Sequence, residues 1–334
     1  MNPMKLTVPE PDQLHDELSD VLREVHGPDA SLEDCVARPL SKHGRHRAVR
    51  YDLVARVAGA PQAFRDQWVG KFYGRDDEAR RVATILRAWA ATGCRAPDGL
   101  VIPAVLAYHA PFRLLLLRYE PGESMTAALA RNHALALPAI GRALAALHAT
   151  PVAVDERTTA AAVLDDLRPR MVDLCARFPG RKDFLRQSLE KLERRTPDGP
   201  ARPSFLHGDL GPAQLLWQMG RVVVLDFDKC TGGDPALDLG NLATQLRRLT
   251  LRKPGKLPDF GSLRHGLLDA YERWSRPDPG LGGRVAWYER VMLVRKAHFL
   301  ASDTTRRTEA DALGQRQAEA AGLLGELPAL LESG

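Results

Sequence analysis

Over the first third of the chain the apolar positions fall in short runs, and beyond it they recur at helical spacing. Residues 10–25 read as a short amphipathic helix stopped by Gly27-Pro28. Val36–Leu40, Ala48–Val57 and Gln67–Phe72 are strand-type runs, each closed by polar or glycine-containing turns. Asp76-Asp77-Glu78 opens a helical pattern reaching about Ala91, its acids suited to the positive end of the helix dipole. Leu100–Tyr108 and Phe112–Tyr119 predict two more strands, so that one helix lies between the third strand and the fourth.

After Pro121-Gly122-Glu123 the pattern is almost wholly helical. Met125–Arg131 and Pro138–His148 predict helices, and 158–178 with 182–195 a helical hairpin. A loop with two short strands is expected around 204–228, and helices return at 235–251, 262–275, 284–301 and 308–328. A strand-rich third followed by a helical remainder predicts an α+β protein of two lobes joined near 118–122. The expected division is an N-terminal helical extension over 1–30, a sheet lobe with one helix over 31–119, and a helical lobe over 120–334.

Composition adds little to this picture except by exclusion. Four cysteines (Cys35, Cys94, Cys175, Cys230) stand far apart, so neither a disulfide framework nor a zinc site is expected. The N-terminus has no signal-peptide pattern, and the most apolar run, Leu114–Leu117, is far too short to span a bilayer; a cytoplasmic protein without a membrane partner is expected. The net charge of +5 is spread among interleaved acids and bases, which favours solvated helix faces over a nucleic-acid stripe.

Chemistry concentrates in residues 205–242, FLHGDLGPAQLLWQMGRVVVLDFDKCTGGDPALDLGNL. His207, Asp209 and Gln214 lie in a turn-rich loop, and the apolar run Arg221–Leu225 delivers Asp226 at a strand end. Carboxylate and amide oxygens brought together suit magnesium, a hard ion. A further carboxylate facing a hydroxyl completes the parts that phosphoryl transfer needs. Asp228 has two readings, a second oxygen near the metal or a hydrogen-bonded loop acid. Asp234-Pro235 has the form of a helix start, and Asp238 is placed to pin the loop from below.

HGDLGPAQLL resembles the H-G-D-x-x-x-x-N catalytic loop of aminoglycoside phosphotransferases and choline-kinase-like enzymes. LDFDKCTGGDPALDLGNL resembles the metal-binding strand that follows it. The resemblance implies a two-lobed protein-kinase-like fold, with a small antiparallel sheet lobe and a mainly helical lobe. It implies an ATP-dependent, magnesium-requiring kinase in which Asp209 deprotonates the acceptor hydroxyl, Gln214 and Asp226 hold metal, and His207 braces the loop. Gln214 departs from the family's asparagine by one methylene.

In the same light, QWVGKFYGRDDEARRVATIL places Lys71 on a strand and Glu78 at a helix start, the lysine–glutamate pair that kinases set on the nucleotide phosphates. Residues 39–57 put Ser41 and Gly44 in a turn that either covers phosphates or is a plain basic hairpin. LLLLRYEPGESM resembles the hinge that bonds adenine, with Arg118 to Glu120 as candidates, and His148 reads as structural. The region after residue 120 carries about +4 (Lys and Arg against Asp and Glu), which weakens the case for a polycationic acceptor. The resemblance implies that the acceptor is a small hydroxyl compound: a sugar, an aminoglycoside or an amino alcohol. Glu289, Arg295, His298, Asp303 and Arg306 either face it or lie on the surface. The competing class is a nucleotide-binding pseudokinase that acts as scaffold or regulator. No sequence feature selects an oligomeric state.

Overall fold

A computed structural model describes residues 9, 11–40, 47–92, 99–200, 203–302 and 310–332. In chain order the elements are α1 (His15–His26), β1 (Ala30–Pro39), β2 (Arg47–Val57), β3 (Phe64–Phe72), α2 (Asp76–Ala91), β4 (Leu100–Val101), β5 (Val105–His109), β6 (Leu114–Arg118) and β7 (Glu123–Ser124). They continue with α3 (Met125–Ala149), β8 (Arg157–Thr158), α4 (Ala160–Arg177), α5 (Lys182–Arg194), β9 (Ser204–Leu206), β10 (Leu215–Gln218), β11 (Arg221–Val224) and β12 (Thr231–Gly233). The last four are α6 (Pro235–Arg252), α7 (Phe260–Trp274), α8 (Leu281–Ser302) and α9 (Ala310–Glu332). The result is the α+β organisation expected from the change of period.

The chain forms two compact units. The first holds Met1–Arg95, Val101–Gly122 and Val223–Asp228; the second holds Ala96–Leu100, Glu123–Val222 and Lys229–Gly334. In the first, an antiparallel sheet has the order β1-β2-β3-β6-β5, with β3 at its centre. Period-2 alternation along β3 buries Trp68, Gly70 and Phe72 and turns Lys71 to the other face. Leu14, Leu18 and Leu22 share one core with Tyr51, Leu53, Trp68, Phe72, Leu114 and Leu116, so α1 belongs to this sheet's hydrophobic core. Helix α2 starts with Asp76, Asp77 and Glu78 in its first turn, without a side-chain cap.

In the second unit, the helices expected over Met125–Arg131 and Pro138–His148 form one element, α3, broken at Asn132, and the second half starts ahead of Pro138, which lies inside it. Asn132 leaves helical geometry (φ −158°, ψ 82°), and its Oδ1 accepts from Leu135 N at 3.2 Å, capping the second half. Helix α6 starts as its sequence predicts: Asp234 Oδ1 accepts from Ala236 N at 3.0 Å, and Pro235 takes the first turn. The Asp234 carboxylate also binds Arg284 of α8 at 2.8 Å. Helices α6 and α8 approach closely at Gly240, where a Cβ would stand 2.8 Å from Glu289 N. The strand expected over 100–108 is two pieces, β4 and β5, separated by Ile102-Pro103-Ala104, because proline cannot donate to a ladder.

Candidate active site

Two groups of expected site residues are brought together, one within each unit. In the first unit, β11 runs out into Asp226 and a short turn. Lys71 Nζ binds Asp226 Oδ1 at 2.5 Å and Asp228 Oδ2 at 2.6 Å, so both carboxylates share one ammonium. Lys71 and Asp228 are nearly buried, whereas half of the Asp226 side chain is exposed. Asp226 has φ 67°, in the left-handed region that a non-glycine residue enters at a cost. From that turn its carboxylate meets Lys71.

Asp228 is held on several sides. Tyr73 Oη donates to its Oδ1 at 2.9 Å, and Arg81 donates to its backbone oxygen at 2.5 Å. Asp228 is therefore a hydrogen-bonded loop acid and also a carboxylate beside Asp226. Glu78, the expected partner of Lys71, stands in the first turn of α2, while the ion pairs of Lys71 run to Asp226 and Asp228. The two aspartates present a paired negative charge that demands a cation, and the Lys71 ammonium supplies it to both. Sequence reading did not identify Tyr73 or Arg81; their signal is spacing, Tyr73 lying two residues beyond Lys71 and Arg81 one helical turn beyond Glu78.

At the expected hinge, the backbone N–H groups of Arg118 and Tyr119 donate to Ala104 O at 2.9 Å and Gln67 O at 3.0 Å. The amides of these two positions are thus used by the sheet, and Glu120 follows where the sheet ends. The Arg50 guanidinium lies 5.3 Å from the Tyr119 ring centre. Ser41 and Gly44 lie outside the described residues, as do Asp303 and Arg306.

In the second unit, the loop after β9 is fastened by a buried acid. Asp238 Oδ2 accepts from His207 N at 2.7 Å and Oδ1 from Gly208 N at 2.9 Å. His148 Nε2 lies 3.2 Å from Oδ2, and His148 Nδ1 lies 2.9 Å from Tyr271 Oη. Burial by itself would raise the Asp238 carboxyl; the hydrogen bond and charge of His148, with His207, outweigh it and hold the group below the usual carboxylate range. Burial, with the charge of Asp238 next, pushes the Tyr271 phenol up. Both His148 and Asp238 do the structural work their positions suggested.

His207 is fully buried, and its Nδ1 accepts from Asp209 N at 3.3 Å. The histidine braces the loop while the Asp209 side chain is exposed. Gly208 has φ 80°, and a Cβ there would stand 2.0 Å from Lys229 O. Gly208→Ala is expected to cost about 2–3 kcal/mol of stability, from overpacking against backbone and a strained φ, measurable by urea denaturation. Gln214 ends a short 3-10 turn in which its N–H donates to Gly211 O at 3.0 Å.

The last helices sort the remaining candidates. Glu289 is fully buried, neither surface nor solvent-facing: its carboxylate binds Arg264 at 2.8 Å and Arg247 at 3.2 Å, joining α6, α7 and α8. Arg295 is partly buried and lies 3.1 Å from Asp166, and His298 lies 3.0 Å from Asp173. Among the described residues, no group of three His, Cys, Asp or Glu forms a metal-binding cluster, and no helix is long and apolar enough to cross a membrane.

Solved structures share this fold. A choline/ethanolamine kinase family protein from Mesorhizobium loti superimposes with TM-score 0.61 at 18% identity, covering 95% of this chain and 97% of that one. A thermostable mutant of aminoglycoside phosphotransferase APH(4)-Ia, in ternary complex with ADP and hygromycin B, gives 0.59 at 18% identity, over 95% and 99%. Macrolide 2'-phosphotransferase MphH from Brachybacterium faecium gives 0.52 at 21% identity, over 92% and 98%. No curated protein matches the chain by sequence. The pattern of the phosphotransferase enzyme family, APH, matches residues 54–288. That span takes in Lys71, the pinned loop bearing Asp209 and the turn bearing Asp226, and the chain belongs to this family as a small-molecule phosphotransferase acting on a hydroxyl group.

Proposed function

We propose that the chain transfers the γ-phosphoryl group of ATP to a hydroxyl of a small molecule, with Asp209 as base. The observation that carries the nucleotide side is the Lys71–Asp226–Asp228 cluster, which is charged, largely enclosed and built on a strained turn. Structural relatives crystallised with ADP or AMP-PNP agree with a nucleotide at this fold.

Magnesium, when bound, would neutralise phosphate charge. Asp226 and Asp228 fit it as hard oxygen donors already gathered about one cation, and Gln214 offers a neutral amide oxygen. A site of two carboxylates suits magnesium, which keeps waters and substrate phosphates among its ligands and needs no all-protein cage. An ammonium has three donors, and Lys71 spends two on these aspartates, so the third is directed to a phosphate oxygen. Glu78, in the first turn of α2, is then the second acid proposed for the nucleotide side, and the Glu120 backbone the adenine contact.

In the transfer, the acceptor oxygen attacks the γ-phosphorus as its proton passes to an Asp209 carboxylate oxygen. The bond from γ-phosphorus to the bridging oxygen breaks, and its electron pair leaves on ADP. His207 and Asp238 hold the loop, so the base sits still while the proton moves. The test is calorimetric titration of ATP with and without magnesium on wild type and Asp226→Ala. Magnesium-dependent binding that weakens at least about tenfold in the variant, about 1.4 kcal/mol, is expected. Absence of nucleotide binding in wild type would refute the reading.

A further inference from the structure

Between the start of α4, the proline-rich turn after α5 and the start of α6, the second unit holds a cavity of about 480 Å³. That is room for a small metabolite, and none of the lining residues belongs to the loop 207–214. Its walls are fixed. Thr159 caps α4, accepting from Ala162 N at 3.2 Å, and Thr158 Oγ1 donates to Thr231 Oγ1 at 3.2 Å. Trp287 Nε1 donates to Leu192 O at 3.0 Å, which ties the end of α5 to α8. Pro197, Pro200 and Pro203 give the cavity an apolar side.

Several polar groups on this lining are left without partners. Tyr288 of α8 is only 1% exposed, and its hydroxyl makes no hydrogen bond with any described residue. That hydroxyl is not sealed off from the cavity, so it is aimed at whatever fills it. Asp234 beside it is already spent, on Ala236 N at 3.0 Å and on Arg284 at 2.8 Å. Burial, and after it the charge of Asp234, pushes the Tyr288 phenol up and keeps it a neutral donor. A buried hydroxyl without a partner is unfavourable, and a ligand that accepts from it relieves the cost. The first amides of α4, at Ala160 and Ala161, also lie on the wall, where a helix supplies no acceptor of its own. At the exposed edges, Arg157 and Asp198 form no ion pair among the described residues, with each other or with any neighbour.

We infer that this cavity binds a small zwitterion with an apolar body, its carboxylate held by Arg157, Tyr288 and the first amides of α4, and its ammonium by Asp198. The fork of an arginine matches a carboxylate, and the 18-residue α4 turns its positive end to the same group. A lone anion would meet Asp198, and a lone cation would meet Arg157 and the helix end. A molecule with both charges answers each of them, and the prolines receive its apolar part. Binding here requires neither a nucleotide nor Asp209.

Calorimetric titration of the full chain without nucleotide tests it with four probes: L-phenylalanine, L-alanyl-L-phenylalanine, N-acetyl-L-phenylalanine (anion only) and L-phenylalanine amide (cation only). At least one zwitterion is expected to bind about tenfold more tightly than either singly charged probe, the tighter of the two telling a free amino acid from a short peptide. Arg157→Gln should weaken that zwitterion about tenfold and the amide less than about twofold. Tyr288→Phe should weaken it about fivefold without loss of stability in urea, because the hydroxyl removed has no partner in the protein. Asp209→Asn should bind all four probes as wild type does. Binding of neither zwitterion, equal binding of a singly charged probe, or a loss in Asp209→Asn equal to that in Arg157→Gln overturns the site. None of these outcomes involves ATP, so they separate failure of this site from failure of the kinase reading.

Discussion

Asp209→Asn is expected to lower phosphoryl transfer by about 10³-fold, roughly 4 kcal/mol of barrier, with nucleotide affinity unchanged. The side chain is exposed, and the bond that braces the loop runs from Asp209 N to His207 Nδ1, which the substitution keeps. Asparagine has the size of aspartate but cannot take the acceptor's proton. The measurement is single-turnover transfer from labelled ATP, alongside calorimetric titration of the nucleotide. A variant with near wild-type transfer would remove Asp209 from the mechanism; a variant that also loses nucleotide would point to a collapsed loop. Circular dichroism before and after the substitution distinguishes the latter.

Asp238→Ala is expected to cost about 3–5 kcal/mol of stability, because three buried donors lose their acceptor together. His207 N, Gly208 N and the His148 ring would face an apolar cavity in place of a carboxylate. Asp238→Asn should cost less, about 2 kcal/mol, since one oxygen remains while the new amide NH₂ meets a backbone donor. Urea unfolding at pH 7 measures both. The pH dependence has a definite sign. The folded carboxyl titrates below its unfolded value, so its contribution is complete above an unfolded pKa of about 4 and is lost as pH falls through the folded value. The gap between wild type and Asp238→Asn should therefore narrow in acid. Activity should fall in parallel with stability, because the same oxygens hold the loop that carries Asp209.

Helix starts were readable in detail because their signals are local. Asp234 followed by proline and the acid run Asp76-Asp77-Glu78 act through neighbouring backbone groups, whereas the restart of α3 after Asn132 was expected later, at Pro138. The loop after β9 was readable for another reason: HGD combines a glycine that positive φ and a 2.0 Å approach require with a histidine and an acid at fixed offsets. The split of the strand over 100–108 was present as Pro103, a residue that removes a ladder donor.

Partners distant in sequence were not readable. Lys71 and Asp226 are 155 residues apart, and the choice of Asp226 and Asp228 for its ion pairs is made by β3 and the end of β11 folding into one unit. Glu289 looks in sequence like any helix acid, yet it is buried by the approach of α6 at Gly240 and neutralised by Arg247 and Arg264. The sequence by itself determined the α+β division, the helix boundaries and the family of the loop, since these follow from period, caps and short motifs. Tertiary structure alone decided which charges meet, because pairing depends on distances that period and spacing along the chain do not encode.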